Sequence, residues 1–136
     1  MSKGNTTEAE VIALMFHGSA IPWAGNASFY IALHTADPGE GGNQTTSEAA
    51  YAGYARVAVA RDAGGWTLAG GQAVNAADVT FPECTGGSET LTHFSIGLAA
   101  SGASQIIHMG VLADALAISN LVRPIFPAGA LTVTED

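Results

Sequence analysis

Four histidines are the side chains of this sequence best suited to bind a transition metal: His17, His34, His93 and His108. None of them belongs to a His-x-His or His-x-x-x-His pair, so the local spacing typical of zinc sites is missing. A histidine within a strand can instead be satisfied by hydrogen bonds to neighbouring polar groups. The pattern therefore predicts hydrogen-bonded histidines and no metal centre.

A second candidate for ion binding is the acidic, glycine-rich loop that contains Asp37, Glu40 and Asn43. Hard oxygen ligands beside flexible glycines suit calcium, but their spacing does not match the calcium loop of an EF-hand. We therefore expect a solvated acidic turn at this position.

Motifs for covalent or phosphate chemistry are missing from the sequence. It has no Gly-x-Ser-x-Gly elbow, and Gly64-Gly65 and Gly70-Gly71 lack the lysine and the helix of a phosphate loop. Cys84 lies beside Glu83, which disfavours a reactive thiolate. Asp and Glu are present, so residue types alone do not exclude a carboxylate pair for glycoside cleavage. We expect no enzyme activity and no cofactor.

Three aromatic residues near strand ends could stack on a sugar: Tyr51, Tyr54 and Trp66. The alternative for the same residues is ordinary cross-strand aromatic packing, which the sequence favours. Arg56 lies in a largely uncharged segment, where its planar guanidinium suits a carboxylate. We expect Arg56 to meet that carboxylate at a subunit boundary.

Composition limits the classes of partner. The 136-residue chain suits one domain, and it carries four basic against twelve acidic side chains, for a formal charge of −8. The basic residues are scattered, so nucleic acid is not expected as a partner. No apolar run approaches the roughly 20 residues that span a bilayer, and the amino terminus lacks a secretory signal. A single cysteine precludes an intrachain disulfide and permits assembly in a reducing cytoplasm.

A short helix is expected near the amino terminus. Thr7-Glu8-Ala9-Glu10 has the form of a capping box, and His17-Gly18 provides a stop signal. Apolar groups occupy most of the intervening surface, so the helix must dock to be stable. It could pack across its own sandwich or plug one end of it, or insert as an arm into a neighbouring subunit. If the helix inserts into a neighbouring subunit, the candidate contact residues are Val11, Ile12, Met15 and Phe16.

The rest of the sequence indicates β-structure. Strand-like segments at 29–34 and 51–59 flank a turn at Asp37-Pro38-Gly39-Glu40 and a glycine-rich loop. Short strands and turn signals continue to the carboxyl end, roughly eight to ten strands in all. Thr90–Leu98 and Gln105–Leu112 are the clearest later strands, whereas 114–120 could be a helical turn or a bulged strand. The predicted fold is all-β, a single-domain, jelly-roll-like β-sandwich with one short helix: 1–26 forms the helix and connector arm, and 27–136 the sandwich.

Several of these segments together resemble a family of small structural proteins of tailed-phage virions, commonly labelled tail fibre or minor structural proteins. The similarity lies in Leu-His-Thr-Ala-Asp-Pro at 33–38 and Tyr-x-x-Tyr-Ala-Arg-x-x-Val at 51–59. Val-Thr-Phe-Pro at 79–82, Thr-His-Phe-Ser-Ile-Gly at 92–97 and Ala-Gly-Ala-Leu-Thr-Val-Thr at 128–134 follow in the same order. The resemblance covers the chain from about Leu14 onward, and it implies a virion protein assembled in the host cytoplasm.

Two functions compatible with this resemblance follow. Only 12% of residues are charged, which suits a capsid decoration or cement protein that covers seams between subunits. Its partners would be the major capsid protein or other virion proteins, and it would form a homo-oligomer, a trimer being one option. The helix and the loop, with Asp37, Glu40 and Arg56, are the expected contacts. The alternative is a tail fibre, collar or tail-tip component with a receptor surface at Tyr51, Tyr54 and Trp66, which requires those side chains to be exposed.

Overall fold

A computed structural model describes residues 2–135. Over that range the chain forms one helix and ten strands. In chain order they are β1 (Ser2–Lys3), α1 (Asn5–His17), β2 (Ser28–His34), β3 (Val57–Ala60), β4 (Trp66–Ala69), β5 (Gln72–Asn75), β6 (Val79–Thr80), β7 (Glu89–Gly97), β8 (Ile106–Ile118), β9 (Ile125–Phe126) and β10 (Thr132–Thr134). No helix within 2–135 has the length and apolar character needed to cross a membrane.

The strands form three antiparallel sheets. The largest has the order β1-β8-β7-β2-β3, the second β10-β5-β4, and the third is the pair β6-β9. Each strand of the central pair β2–β7 presents apolar residues on one face, since Ile31 pairs with Ile96 and Leu33 with Phe94. The predicted all-β sandwich with one helix is confirmed; its jelly-roll topology and the division at residue 26 stay predictions.

The core lies where the large sheet meets the two smaller ones. Phe94 of β7 contacts Phe126 of β9 edge to face, with 6.0 Å between ring centroids, and Phe126 in turn contacts Phe81 at 6.1 Å. Such aromatic contacts add to the apolar area that the sandwich buries. The buried cluster also includes Ile31, Leu33, Tyr51, Leu91, Ile96, Ile118 and Leu131.

Strand β8 is longer than the sequence predicts. It continues through the ambiguous segment 114–118, where its pairing with β7 reaches Glu89↔Ile118. The segment is therefore strand, with register irregularities along the β7–β8 pair rather than a helical turn. Beyond Gly110 most of its side chains are exposed, and Val111 is 68% exposed.

The expected strand over 51–59 is largely wrong. Only Val57–Ala60 forms β3, and the preceding segment turns, because Gly53 adopts φ 96° and the Tyr54 N–H donates to the Tyr51 carbonyl at 3.0 Å. A positive φ of this kind favours glycine and interrupts an extended strand. This turn orients the Tyr51, Tyr54 and Arg56 side chains toward the interior.

The predicted capping box is also wrong. Helix α1 begins at Asn5, its N-cap is Gly4, and no side chain caps it. Thr7 is instead buried, and its hydroxyl donates to the Ile106 carbonyl of β8 at 2.7 Å. A tertiary hydrogen bond has replaced the local one. The predicted stop is confirmed, because Gly18 ends the helix with φ 66°.

The turn between β3 and β4 carries the chain from the large sheet to the second one. The Asp62 carboxylate accepts hydrogen bonds from the N–H groups of Gly64 at 2.9 Å and Gly65 at 3.0 Å. A Cβ at Gly65 would lie 1.9 Å from the Ala60 carbonyl oxygen, so only glycine fits there.

We expect Gly65→Ala to lower the free energy of unfolding by about 1–3 kcal/mol or more, because the clash is with backbone and forces the turn to move. Gly25→Ala is the matched control, since a Cβ at Gly25 meets no atom within 4 Å, and its effect should stay within about 0.5 kcal/mol. Urea denaturation of both variants measures this; equal stabilities would show that the turn is free to relax.

Candidate functional site

The motif residues that carry the sequence resemblance form a buried polar cluster. Arg56 donates from Nε to Glu48 Oε2 at 2.7 Å and from Nη2 to Oε1 at 2.9 Å, which is a bidentate ion pair. The side chains of Arg56 and Glu48 are 2% and 16% exposed. We call Glu48, Tyr54 and Arg56 the clamp.

The clamp joins three separate segments. Arg56 also donates to the carbonyls of Ala99 at 3.0 Å and Gly102 at 2.7 Å, in the connection between β7 and β8. The Tyr54 hydroxyl donates to Glu48 at 2.8 Å. Arg56 therefore meets its carboxylate within its own chain. The expectation of a subunit boundary at Arg56 is wrong, because the pair lies inside the folded subunit.

The proposed sugar platform is not formed by the three aromatic residues. Tyr51 is 4% exposed and its hydroxyl donates to the Pro82 carbonyl at 2.7 Å. Half-buried Tyr54 stacks on Phe81 with 8° between the ring planes. Burial raises the pKa of Tyr51 to about 12 and raises that of Tyr54 as well. Trp66 begins β4 of the second sheet, whereas Tyr51 and Tyr54 lie in the turn before β3. Tyr51 belongs to the buried core and Tyr54 packs against it, so these two side chains serve the core instead of a receptor surface.

A second buried network contains a serine–histidine pair. His34 Nε2 lies 2.7 Å from the Ser95 hydroxyl, and its Nδ1 lies 2.8 Å from the Thr46 carbonyl. This arrangement resembles an activated nucleophile with an oriented base. Both residues are 0% exposed, however, and Gln44 covers them, donating to Ser95 at 3.2 Å and to the Tyr30 carbonyl at 2.9 Å. No substrate reaches the pair in this arrangement, and it holds the loop 37–48 against the sheet.

The acidic loop is closed by its own hydrogen bonds. Asp37 accepts from the Gly39 N–H at 2.8 Å, and Asn43 accepts from the Thr45 N–H at 2.8 Å. Within 2–135 no three histidine, cysteine or acidic side chains gather as metal ligands. Asp37 and Glu40 are exposed, so their role as contact residues stays a prediction.

Helix α1 is attached to the sandwich only through its first half. Beyond the bond from Thr7, Glu10 accepts hydrogen bonds from Trp23 Nε1 and from Gln105 Nε2, each at 2.7 Å. The second half is uncovered: Ile12 is 55%, Leu14 43%, Met15 60% and Phe16 75% exposed. We call these four residues the apolar helix end. The second half of the helix therefore does not pack against the sandwich, and Val11 alone among the predicted helix contacts is half-buried.

A cavity of about 720 Å³ opens between the large sheet and the second sheet. We call it the inter-sheet cavity. Its walls are mostly apolar. Two of its lining residues, Trp66 and His108, each have a buried side-chain nitrogen (Nε1 and Nδ1) without a hydrogen-bond partner among residues 2–135. Sequence reasoning missed this cavity. Its lining residues are Phe29, Arg61, Asp62, Ala63, Trp66, Thr67, Leu68, Ala73, Ile96, Ile107, His108 and Val133.

These features define a class of protein: a small all-β subunit with a buried ion pair inside and exposed apolar side chains on its helix. The chain belongs to the family described as Podophage GP4 fiber I protein gp80, whose family model matches residues 2–134. The resemblance to phage structural proteins is thus confirmed, and the chain is a phage virion structural protein of the fibre type, located in the virion. None of the curated proteins compared with the chain matches it.

Breaking the clamp on one side should destabilise the subunit strongly. We expect Arg56→Met to lower the free energy of unfolding by about 3–5 kcal/mol, because it leaves the Glu48 carboxylate buried without its partner. The double variant Glu48→Gln with Arg56→Met should recover part of that loss, since no unpaired charge remains. Denaturant titration of both variants measures the difference. A double variant no more stable than Arg56→Met alone would argue against the clamp as a charge pair.

Stability should fall as the pH drops below neutral. Burial lowers the pKa of His34 and of His108 below the ordinary value of 6.5, so the unfolded chain binds protons that the folded chain does not. Stability is then full above pH 6.5 and declines below it, by up to about 1.4 kcal/mol per pH unit for each histidine. Denaturation at several pH values between 7.5 and 5 should show a weaker dependence for His34→Gln than for the control His17→Gln, whose side chain is exposed.

Proposed function

We propose that this protein is a fibre-type structural subunit that is held in the phage particle through its apolar helix end. The observation that carries the proposal is the exposure of Ile12, Leu14, Met15 and Phe16 on a helix attached only at its base. Exposed apolar residues grouped on one helix are typical of surfaces that bind another protein. A helix laid into an apolar groove of a partner is a recurrent way to bury such a surface.

The energetics support attachment through this helix. Burying one large apolar side chain is worth about 1.5–3 kcal/mol, so four of them supply enough to offset much of the entropy lost on association. A repeated assembly adds many such contacts. The clamp joins the loop, the turn and the β7–β8 connection of the subunit by hydrogen bonds. In this role the subunit has a mechanical function, and helix α1 attaches it to the particle.

The site on the particle is a separate question with two candidate answers. A fibre position agrees with the family description. A capsid decoration or cement role, with the major capsid protein as partner, is supported by the low content of charged residues, 12%, and by the uncovered helix. A host-receptor surface would have to use residues other than Tyr51 and Tyr54, because these belong to the core. We propose the fibre position and a homo-oligomeric subunit.

Copy number distinguishes the fibre from the head. Quantitative mass spectrometry of purified particles, with the major capsid protein as standard, should give a copy number far below that of the capsid protein. A copy number comparable with that of the capsid lattice would instead establish the decoration role and overturn the fibre position.

Substitution of the helix end tests the attachment itself. We expect Phe16→Ser to reduce the amount of this protein in particles at least about tenfold, since one buried aromatic anchor is worth more than 1.4 kcal/mol. Val111→Ser is the control, because Val111 is similarly exposed, at 68%, but lies on β8. Equal incorporation of the two variants would show that the helix end does not hold the protein in the particle.

A further inference from the structure

We infer that the apolar helix end of one copy docks into the inter-sheet cavity of a second copy, so that neighbouring subunits are joined by their helices. The inference rests on the proposed function and names the neighbour that the helix binds. Within one chain the two surfaces do not meet, because none of the residues that line the cavity belongs to α1. Each chain thus offers one uncovered apolar projection and one unfilled apolar recess.

The cavity has a size and lining suited to large apolar side chains. Its volume of about 720 Å³ falls within the range of about 300–1,000 Å³ in which protein pockets enclose most of a bound group. Phe29, Ile96, Ile107 and Val133 contribute apolar walls, and Leu68 at the opening is 75% exposed. Side chains such as Met15 and Phe16 could therefore exchange water for apolar surroundings on both partners.

Charge at the cavity opening also suits the end of a helix. The Arg61 guanidinium lines the cavity and is held by the carbonyls of Trp23 at 2.9 Å and Asn26 at 2.8 Å. It forms no ion pair with any carboxylate in the described part of the chain. The carboxylate of neighbouring Asp62 is engaged by the Gly64 and Gly65 N–H groups. The carboxyl end of a helix carries partial negative charge, which a cation at this position stabilises.

The two surfaces are different, so the contact is heterologous. A heterologous contact between identical subunits either closes into a ring or continues as a filament. Both outcomes yield a homo-oligomer. The helix then serves as the link between successive copies, and the cavity as its receptor.

Disulfide trapping between two variants tests the docking directly. One purified protein carries His17→Cys, at the exposed end of α1, and the other carries Thr67→Cys, at the exposed opening of the cavity. Both changes leave the apolar helix end and the apolar walls intact, and the native Cys84 is 0% exposed. The variants are mixed under mild oxidation, with a mass tag on one of them. Val111→Cys replaces Thr67→Cys as the control.

We expect the His17→Cys and Thr67→Cys pair to form at least about tenfold more mixed disulfide than the control pair, because docking raises the local concentration of the two thiols. Adding Phe16→Ser to the first protein should abolish that excess. Equal yields from the two pairs would overturn the inference. If particles then still require Phe16, the proposed attachment stands and the helix end binds a different virion protein.

Discussion

The bidentate pair of Arg56 and Glu48 is the interaction on which the rest of the subunit depends. It connects three segments: the loop over 37–48, the turn over 51–56, and the connection between β7 and β8. A buried ion pair repays its desolvation only when the remaining donors and lone pairs are also satisfied. Here Arg56 donates to two further carbonyls and Glu48 accepts from Tyr54. The loop is thereby fixed to the large sheet without any metal or disulfide among the described residues.

The motif that relates this chain to its family is thus architectural. Arg56, Tyr54 and His34 are turned inward, and each is held by hydrogen bonds to residues of other segments. A reader of the sequence would place function at such polar and aromatic residues. The surfaces suited to binding are instead the apolar helix end and the inter-sheet cavity, which carry no recognisable motif. In this subunit the recognisable pattern maintains the fold, and the uncovered apolar side chains belong to segments without a motif.

The sequence allowed the strands with clear apolar patterns to be predicted, as well as the stop at Gly18, because those signals are local. It could not reveal that the Thr7 hydroxyl donates to the carbonyl of Ile106, a residue 99 positions away, and therefore does not cap the helix. Tyr51–Arg56 has strand-forming residue types, yet Gly53 and the clamp bend it out of the sheet. The cavity could not be predicted from the sequence either, because its lining comes from separate strands. Phe29, Trp66, Ile107 and Val133 belong to β2, β4, β8 and β10. Long-range contacts decided each of these points.

The uncovered helix end poses a problem of timing during virus assembly. A newly made subunit exposes its apolar helix end before any particle exists to receive it. The formal charge of −8 works against premature clustering, since like-charged subunits repel one another at distances comparable with the Debye length, about 8 Å at physiological salt. If the helix end docks as proposed, apolar contact would favour association at short range and the net charge would oppose it at longer range. Association would then depend on ionic strength, because salt screens that charge.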